Sequence, residues 1–129
     1  MMPSVIQKRS YDSVTIYSID KAKVWQALTQ WVDALRKRPE VLAVILFGSM
    51  ASNHMRAGSD VDVLIVLSES DLPFLERTVV YKPRRFPVDI DVFPYTWQEI
   101  QAGQKLAQEA LRTGRVLWVR EGFDLLFRK

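Results

Sequence analysis

Two segments of the chain place acidic residues inside otherwise apolar stretches. The segment SDVDVLIVL carries Asp60 and Asp62, and the segment FPVDIDVF carries Asp89 and Asp91. Side chains of alternate residues in a β-strand point to the same face, so each pair would project from one face with about 6.6 Å of backbone between its members. If the two strands are neighbours, three or four carboxylates converge on one patch.

Such a patch requires a compensating charge. Two carboxylates about 5 Å apart repel by about 3 kcal/mol at an effective dielectric constant near 20. The chain has no Cys and one His, His54, so a metal ion would have to bind oxygen ligands, which favours Mg²⁺ or Mn²⁺. Two such ions bridged by carboxylates support in-line phosphoryl or nucleotidyl displacement. Either pair alone could simply face solvent, but two pairs in apolar strands favour the metal site.

A candidate phosphate site directly follows a strongly apolar segment. Gly48 and Ser49 end the run VLAVILF. Glycine lets backbone approach a ligand closely, and a hydroxyl beside free N–H groups can bind phosphate oxygens. Gly-Ser after a strand is also an ordinary turn, and its closeness to the carboxylates is what favours the phosphate interpretation.

Hydrophobic periodicity predicts the elements that would position these groups. A capping box at Thr96 and Glu99 opens the last helix, and Gly114 closes it. Because strands and helices are mixed rather than strictly alternating, the pattern predicts an α+β fold, a small mixed sheet with helices packed against it. The predicted strands are Ser13–Ile19, Val41–Phe47, Ser59–Leu67, Thr78–Lys82, Phe86–Phe93 (a central strand) and Val116–Val119, and the predicted helices are Lys21–Arg38 and Trp97–Thr113.

Length and composition are those of one globular domain. The chain has 129 residues, 48% of them hydrophobic, and a net charge of +3, which gives little support for a nucleic-acid partner. The apolar runs are too short to span a bilayer, and Met1–Arg9 lacks the apolar region of a signal peptide. The absence of Cys fits a reducing, cytoplasmic location. We therefore expect a cytoplasmic protein with no membrane contact.

The spacing of these motifs resembles that of a known family. Gly48-Ser49, ten further residues and then Asp60-Val61-Asp62 are similar to the G-S-x10-D-x-D signature of minimal nucleotidyltransferases in the DNA polymerase beta superfamily. The resemblance covers about Val41 to Arg120, including the strand VILF, the apolar run VLIVL and the segment LRTGRVLWV. It implies one nucleotidyltransferase domain over residues 1–129, with its motif core at about 41–120.

The resemblance also implies roles for individual residues. The implied catalytic residues and ligands of two Mg²⁺ ions, for which Mn²⁺ could substitute, are Asp60, Asp62 and Asp91. The implied nucleotide-binding residues are Gly48, Ser49 and Ser59. Asp91 would also deprotonate the attacking hydroxyl, with Asp89 as the alternative for the third acid.

One position departs from the family pattern. Many members carry Arg directly after Gly-Ser, whereas this chain has Met50, which cannot supply a guanidinium charge. Arg56 or the basic turn Lys82–Arg85 could contact the phosphates instead, or nucleotide binding could be weaker than usual.

The implied activity is Mg²⁺-dependent transfer of a nucleoside monophosphate, AMP from ATP, to a hydroxyl group. Stand-alone domains of this family pair with small helical HEPN-domain proteins, and some act as antitoxins that modify a Tyr of that partner toxin. The alternative is a catalytically weak or inactive nucleotidyltransferase-like module that neutralises its partner by contact. A nucleic-acid-binding role for the basic turn is a third interpretation, and Trp118 could either cap the core or form a homo-oligomer contact.

Overall fold

The structure is a computed structural model that describes residues 6–11, 14–19, 21–48 and 61–123. Three of the predicted site residues, Ser49, Ser59 and Asp60, lie outside the described residues. Met50, His54 and Arg56 also lie outside them. Three site residues, Gly48, Asp62 and Asp91, are described.

The described residues form six strands and four helices. In chain order, the strands are β1 (Ile6–Tyr11), β2 (Val14–Ile19), β3 (Val41–Phe47), β4 (Val61–Leu67), β5 (Ile90–Thr96) and β6 (Arg115–Val119). The helices are α1 (Lys21–Arg36), α2 (Phe74–Tyr81), α3 (Trp97–Gln101) and α4 (Lys105–Thr113). In the part of the chain that these elements cover, no helix is both long and apolar enough to cross a bilayer.

The main sheet has four strands in the order β5-β4-β3-β6. β3 is antiparallel to β4 and β6, whereas β4 and β5 are parallel. β1 and β2 pair in a separate antiparallel sheet, and β1 was not predicted. The mixed sheet with helices packed against it confirms the predicted α+β class.

Helices cover both faces of the sheet, which explains the continuous apolar runs of β3 and β4. On one face, α1 packs Val24 and Leu28 against Val61, Val63 and other core residues. On the other face, Ile100 of α3 and Ala107 and Ala110 of α4 pack against Leu64 and Val66. The α1 prediction is confirmed, although the helix ends at Arg36 rather than Arg38.

The predicted strand Thr78–Lys82 is wrong, because most of it belongs to α2. The β-branched run in TVVY suggested a strand. In the structure, Arg77 and Tyr81 are both buried, four residues apart, while Val79 and Val80 are exposed. That spacing places the two buried side chains on one face of a helix.

The predicted central strand Phe86–Phe93 is also wrong in its bounds and position. β5 starts at Ile90, extends to Thr96 and is an edge strand. It contains Pro94, which has no N–H to donate to a second neighbouring strand, so an edge position suits this sequence. α2 lies along β5, where Phe74 stacks on Tyr95 with ring centroids 4.6 Å apart.

The predicted helix Trp97–Thr113 is interrupted near its middle. Gly103 has φ +112° and ends the first part, and the side chain of Gln104 caps the second by accepting from the N–H of Ala107. The predicted capping box at Thr96 and Glu99 is confirmed. The last strand, β6, begins one residue earlier than predicted, at Arg115.

Candidate active site

The structure brings Asp62 and Asp91 together. β4 and β5 are parallel, and Asp62 is the direct register partner of Asp91. Neighbouring strands lie about 4.8 Å apart, and register partners project from the same face. Asp62 is half-buried and Asp91 is exposed, both near the N-terminal ends of their strands. The two carboxylates therefore share one patch at the edge of the sheet.

Asp62 projects from the sheet face opposite α1. Its neighbours Val61 and Val63 pack with α1 on one face of the sheet. Asp62 lies on the other face, together with Leu64, which packs with α3 and α4. The ring of Phe47, the register partner of Asp62, lies 5.6 Å from the ring of Phe93, which is two residues after Asp91. The carboxylates thus stand beside an apolar floor, where electrostatic interactions are stronger than in water.

Gly48 brings the end of β3 against the same carboxylate. It follows Phe47, the register partner of Asp62, and has φ +82°. A Cβ atom at position 48 would lie 2.5 Å from Oδ2 of Asp62. Both the left-handed conformation and the close approach require glycine. A phosphate bound at this turn would therefore adjoin a cation bound by Asp62.

Asp89, the alternative third acid, is placed differently. It lies before β5 begins and its side chain is exposed. Its backbone carbonyl accepts a hydrogen bond from the N–H of Val61 at 3.0 Å, which continues the β4–β5 pairing. Since Asp91 is the register partner of Asp62, the geometry favours Asp91 over Asp89.

The donor set fits a hard divalent cation. Two carboxylates in register offer the oxygen ligands that Mg²⁺ and Mn²⁺ prefer. Within residues 21–48 and 61–123, no group of three or more His, Cys, Asp or Glu side chains is assembled for a metal ion. Asp60, the third predicted ligand, lies outside those ranges.

A groove beside Asp91 was not predicted from the sequence. It lies between α2 and β5 and has a volume of about 330 Å³. Its lining includes Phe74, Thr78, Val79, Lys82, Asp91 and Phe93. The signal that could have revealed it is the four-residue spacing of Phe74, Thr78 and Lys82, which puts them on one face of a helix. Lys82 of the predicted basic turn thus lines the same groove as Asp91.

A buried arginine holds α2 in place beside this groove. Arg77 is 6% exposed and pairs with both carboxylate oxygens of Glu99, at 2.8 and 3.0 Å. It also donates to the carbonyls of Leu72 and Pro94, at 2.8 and 3.1 Å. The hydrogen bonds from Arg77 lower the pKa of Glu99. α2 is therefore joined to β5 and α3 by a charged pair in which all three nitrogens of the arginine side chain donate hydrogen bonds.

A second cavity, of about 210 Å³, lies between α1 and β6. Trp25 and Trp118 line it, together with Leu28 and Leu117. It includes neither Asp62 nor Asp91, so it does not fit the chemistry that these acids support.

Comparisons with known proteins agree with this geometry. The family described as "Polymerase beta, Nucleotidyltransferase" matches residues 30–122. A search of the curated proteins finds no match.

Three solved structures share the fold. A candidate nucleotidyltransferase from Sulfolobus solfataricus is 18% identical, with 79% of this chain and 86% of that chain covered and a TM-score of 0.59. A toxin–antitoxin structure with AMP-PNP is 22% identical, with 77% and 78% covered and a TM-score of 0.56. A mutant of the toxin–antitoxin pair MntA–HpeT is 21% identical, with 78% of each chain covered and a TM-score of 0.55.

The family match begins within α1 and extends beyond β6, so it includes the Gly48 turn and the acids of β4 and β5. At these identities, the solved structures add agreement in fold. The chain belongs to the polymerase beta nucleotidyltransferase family.

Proposed function

We propose that this protein is a Mg²⁺-dependent nucleotidyltransferase that transfers AMP from ATP to a hydroxyl group. The observation that carries the proposal is the register of Asp62 and Asp91 beside the Gly48 turn. The two carboxylates suit a divalent cation. The backbone turn lies beside them, so a phosphate bound at the turn could also contact that cation.

The proposed chemistry assigns a task to each part of the site. Asp60, Asp62 and Asp91 would hold the metal, which supplies charge neutralisation for the triphosphate and the leaving pyrophosphate. The nucleotide would bind at Gly48, Ser49 and Ser59. Asp91 would accept the proton of the acceptor hydroxyl, whose oxygen forms a bond to the α-phosphorus. The bond from that phosphorus to the β-phosphate oxygen breaks, and pyrophosphate leaves.

For the acceptor, we propose a Tyr hydroxyl of a partner protein, a small HEPN-domain toxin that is neutralised by the modification. Support comes from the two toxin–antitoxin structures that share the fold, one of which contains AMP-PNP, an ATP analogue. The exposed apolar side chains of α2, Leu75 and Val79, are each 76% exposed and suit a protein contact beside the site.

Label transfer tests the proposed activity. The protein would be incubated with α-³²P-labelled ATP, Mg²⁺ and the product of the adjacent gene. We expect label on the partner, loss of label with EDTA, and loss in Asp62→Asn and Asp91→Asn variants. Asp33→Asn is the matched control, because Asp33 lies on α1, which covers the opposite sheet face, and pairs there with Arg36. Equal labelling by all three variants, or none by the wild type, would contradict the proposal.

The exposed apolar surface of α2 also favours a second candidate, neutralisation of the partner by contact alone. Calorimetry separates the two. For the contact-only protein, partner binding survives Asp62→Asn and Mg²⁺–ATP does not bind the wild type. For the enzyme, Mg²⁺–ATP binds the wild type, and its affinity falls in Asp62→Asn.

A further inference from the structure

We infer that the groove between α2 and β5 is the acceptor subsite and that it selects a tyrosine side chain presented by a partner polypeptide. This inference rests on the proposed function and adds the residues that choose the acceptor. Asp91 lines the groove, so a hydroxyl placed inside it would meet the carboxylate assigned to receive its proton.

The lining of the groove suits an aromatic ring. Phe74, Val79 and Phe93 supply apolar and aromatic surface. The hydroxyl of Thr78 is already engaged, because it donates to the carbonyl of Leu75 at 2.6 Å. A sugar bound here would leave several hydroxyl groups against apolar walls without partners, which is costly. A phenol has one hydroxyl, and its ring can pack on the walls.

The groove is preorganised by contacts that hold its two walls together. Arg77 joins α2 to Glu99 and to the carbonyl of Pro94, and the Phe74 ring stacks on Tyr95. These contacts set the distance between α2 and β5 before any acceptor arrives. A preformed groove costs less free energy to occupy than one that must open.

The outer surface of α2 explains why the acceptor would arrive on a polypeptide. Leu75 and Val79, four residues apart on the helix, are each 76% exposed. This apolar strip adjoins the groove through Val79, which lines it. A partner backbone packed on the strip would lie outside the groove, so its acceptor side chain would have to extend along the groove to Asp91. The hydroxyl of tyrosine lies further from the backbone than that of serine or threonine, which suits this arrangement.

The charges at the groove favour a neutral acceptor side chain. Lys82 lines the groove, and Arg84 and Arg85 are exposed just after it in the chain. The acids Glu69, Asp71 and Glu76 precede or open α2, at the other end of the helix. Because the positive Lys82 and the negative Asp91 both line the groove, neither a polycationic aminosugar nor an acidic segment is favoured over a neutral side chain.

An NMR titration tests binding without requiring turnover. N-acetyl-L-tyrosinamide would be added to ¹⁵N-labelled full-length protein, with N-acetyl-L-serinamide as the matched control. We expect saturable shifts of the Thr78, Val79 and Lys82 amides with the tyrosine compound and none with the serine compound. Unmoved groove amides, or equal shifts with both compounds, would overturn the inference.

Kinetics with the same compounds tests selection. We expect kcat/KM for AMP transfer to the tyrosine compound to exceed that for the serine compound by about tenfold or more. Val79→Trp, which fills the groove from an exposed position, should lower kcat/KM for the tyrosine compound at least about tenfold, with unchanged affinity for Mg²⁺–ATP. Val80→Trp, on the same helix, is the control and should change this kcat/KM less than about twofold. Equal loss in both variants, or a preference for glucosamine or an RNA 3′ end, would refute the inference.

These experiments separate the two proposals. Groove shifts without any Mg²⁺–ATP binding would support the subsite and contradict the nucleotidyltransferase activity. Transfer to the natural partner that is indifferent to Val79→Trp would support the activity and contradict the subsite.

Discussion

The two ends of the β4–β5 strand pair use charge in opposite ways. At the C-terminal end, the buried Arg77 meets Glu99, which also accepts from the N–H of Thr96 at 2.9 Å. At the N-terminal end, two acids, Asp62 and Asp91, are register partners. Opposite charges at one end hold the helix to the sheet, whereas the like charges at the other end repel each other, and the proposed cation would relieve this repulsion.

This difference separates residues that stabilise the fold from residues that carry the proposed chemistry. Neutralising an acid at the C-terminal end should cost stability and leave the carboxylates of the N-terminal end in place. Neutralising an acid at the N-terminal end should cost activity and leave or improve stability. The comparison therefore predicts opposite signs for two similar substitutions on neighbouring elements.

The largest effect is expected for Asp91→Asn. Loss of the carboxylate that is proposed to bind the metal and to receive the acceptor proton should lower the transfer rate by about 10²–10³-fold. Without metal, removal of one like charge should raise the free energy of unfolding by about 1 kcal/mol, the Coulomb repulsion being reduced by solvent at this exposed residue. Transfer assays and urea unfolding in EDTA measure the two effects. A variant that is both active and destabilised would contradict the assignment of Asp91 to the site.

The next largest effect is expected for Gly48→Ala. A Cβ atom there would meet the Asp62 carboxylate, and the left-handed conformation adds about 1–2 kcal/mol of strain. We expect transfer to fall by at least about tenfold, because the turn or the carboxylate must shift.

Gly122→Ala is the matched control for this substitution. Gly122 has φ +91°, close to that of Gly48, and a Cβ atom there would meet nothing within 4 Å. It should lose a similar amount of stability from strain with normal transfer. Equal activity losses in the two variants would show that strain, not contact with Asp62, is responsible.

A smaller effect, on stability rather than on nucleotide binding, is expected for Glu99→Gln. The buried Arg77 would lose its charged partner, which costs about 2 kcal/mol after allowance for the 40% exposure of the Glu99 side chain. The hydrogen bond from Arg77 lowers the pKa of Glu99 below its usual 4.5. The contribution to stability is therefore present above pH 4.5 and is lost as the pH falls through the lower, folded-state value.

Urea unfolding from pH 3 to 7 checks this prediction. The wild type and Glu99→Gln should differ most near neutral pH and converge in acid, with Mg²⁺–ATP affinity unchanged at pH 7. A constant difference across the range would mean that the ionised carboxylate is not what stabilises α2.

The parts of the fold that were predicted are those that depend on local pattern. The apolar periodicity of α1 and the continuous runs of β3 and β4 reflect burial on faces that the sequence itself displays. α2 was missed because burial of Arg77 depends on Glu99, 22 residues away. No local signal in TVVY reveals that partner, whereas Pro94 did offer a signal that β5 lies at an edge.

The residues of the candidate site could be predicted from the sequence, but their arrangement in space could not. Alternation in two apolar segments singled out Asp62 and Asp91, and the Gly48 turn followed from the end of an apolar run. Their direct register is a property of the β4–β5 pairing, which alternation along one strand cannot specify. The groove could not be predicted for the same reason, since it forms between α2 and β5.

The smallest effect is expected for Tyr81→Phe, which removes the hydrogen bond between Tyr81 and Glu40. The Tyr81 hydroxyl donates to Glu40 at 2.7 Å, and its loss should cost about 1 kcal/mol. Burial, with the bond to Glu40, raises the pKa of Tyr81 to about 12. The bond thus stabilises the fold fully below pH 10, the usual pKa of tyrosine, and this contribution is lost as the pH rises through about 12.

Thermal unfolding of the wild type and of Tyr81→Phe between pH 8 and 12 should show that their difference in stability vanishes in alkali, with transfer activity at pH 8 unaffected. Transfer activity that is reduced in Tyr81→Phe without a loss of stability would mean that the C-terminal end of α2 contributes to the active site. The residues that stabilise the fold would then not be separate from those that carry the proposed chemistry.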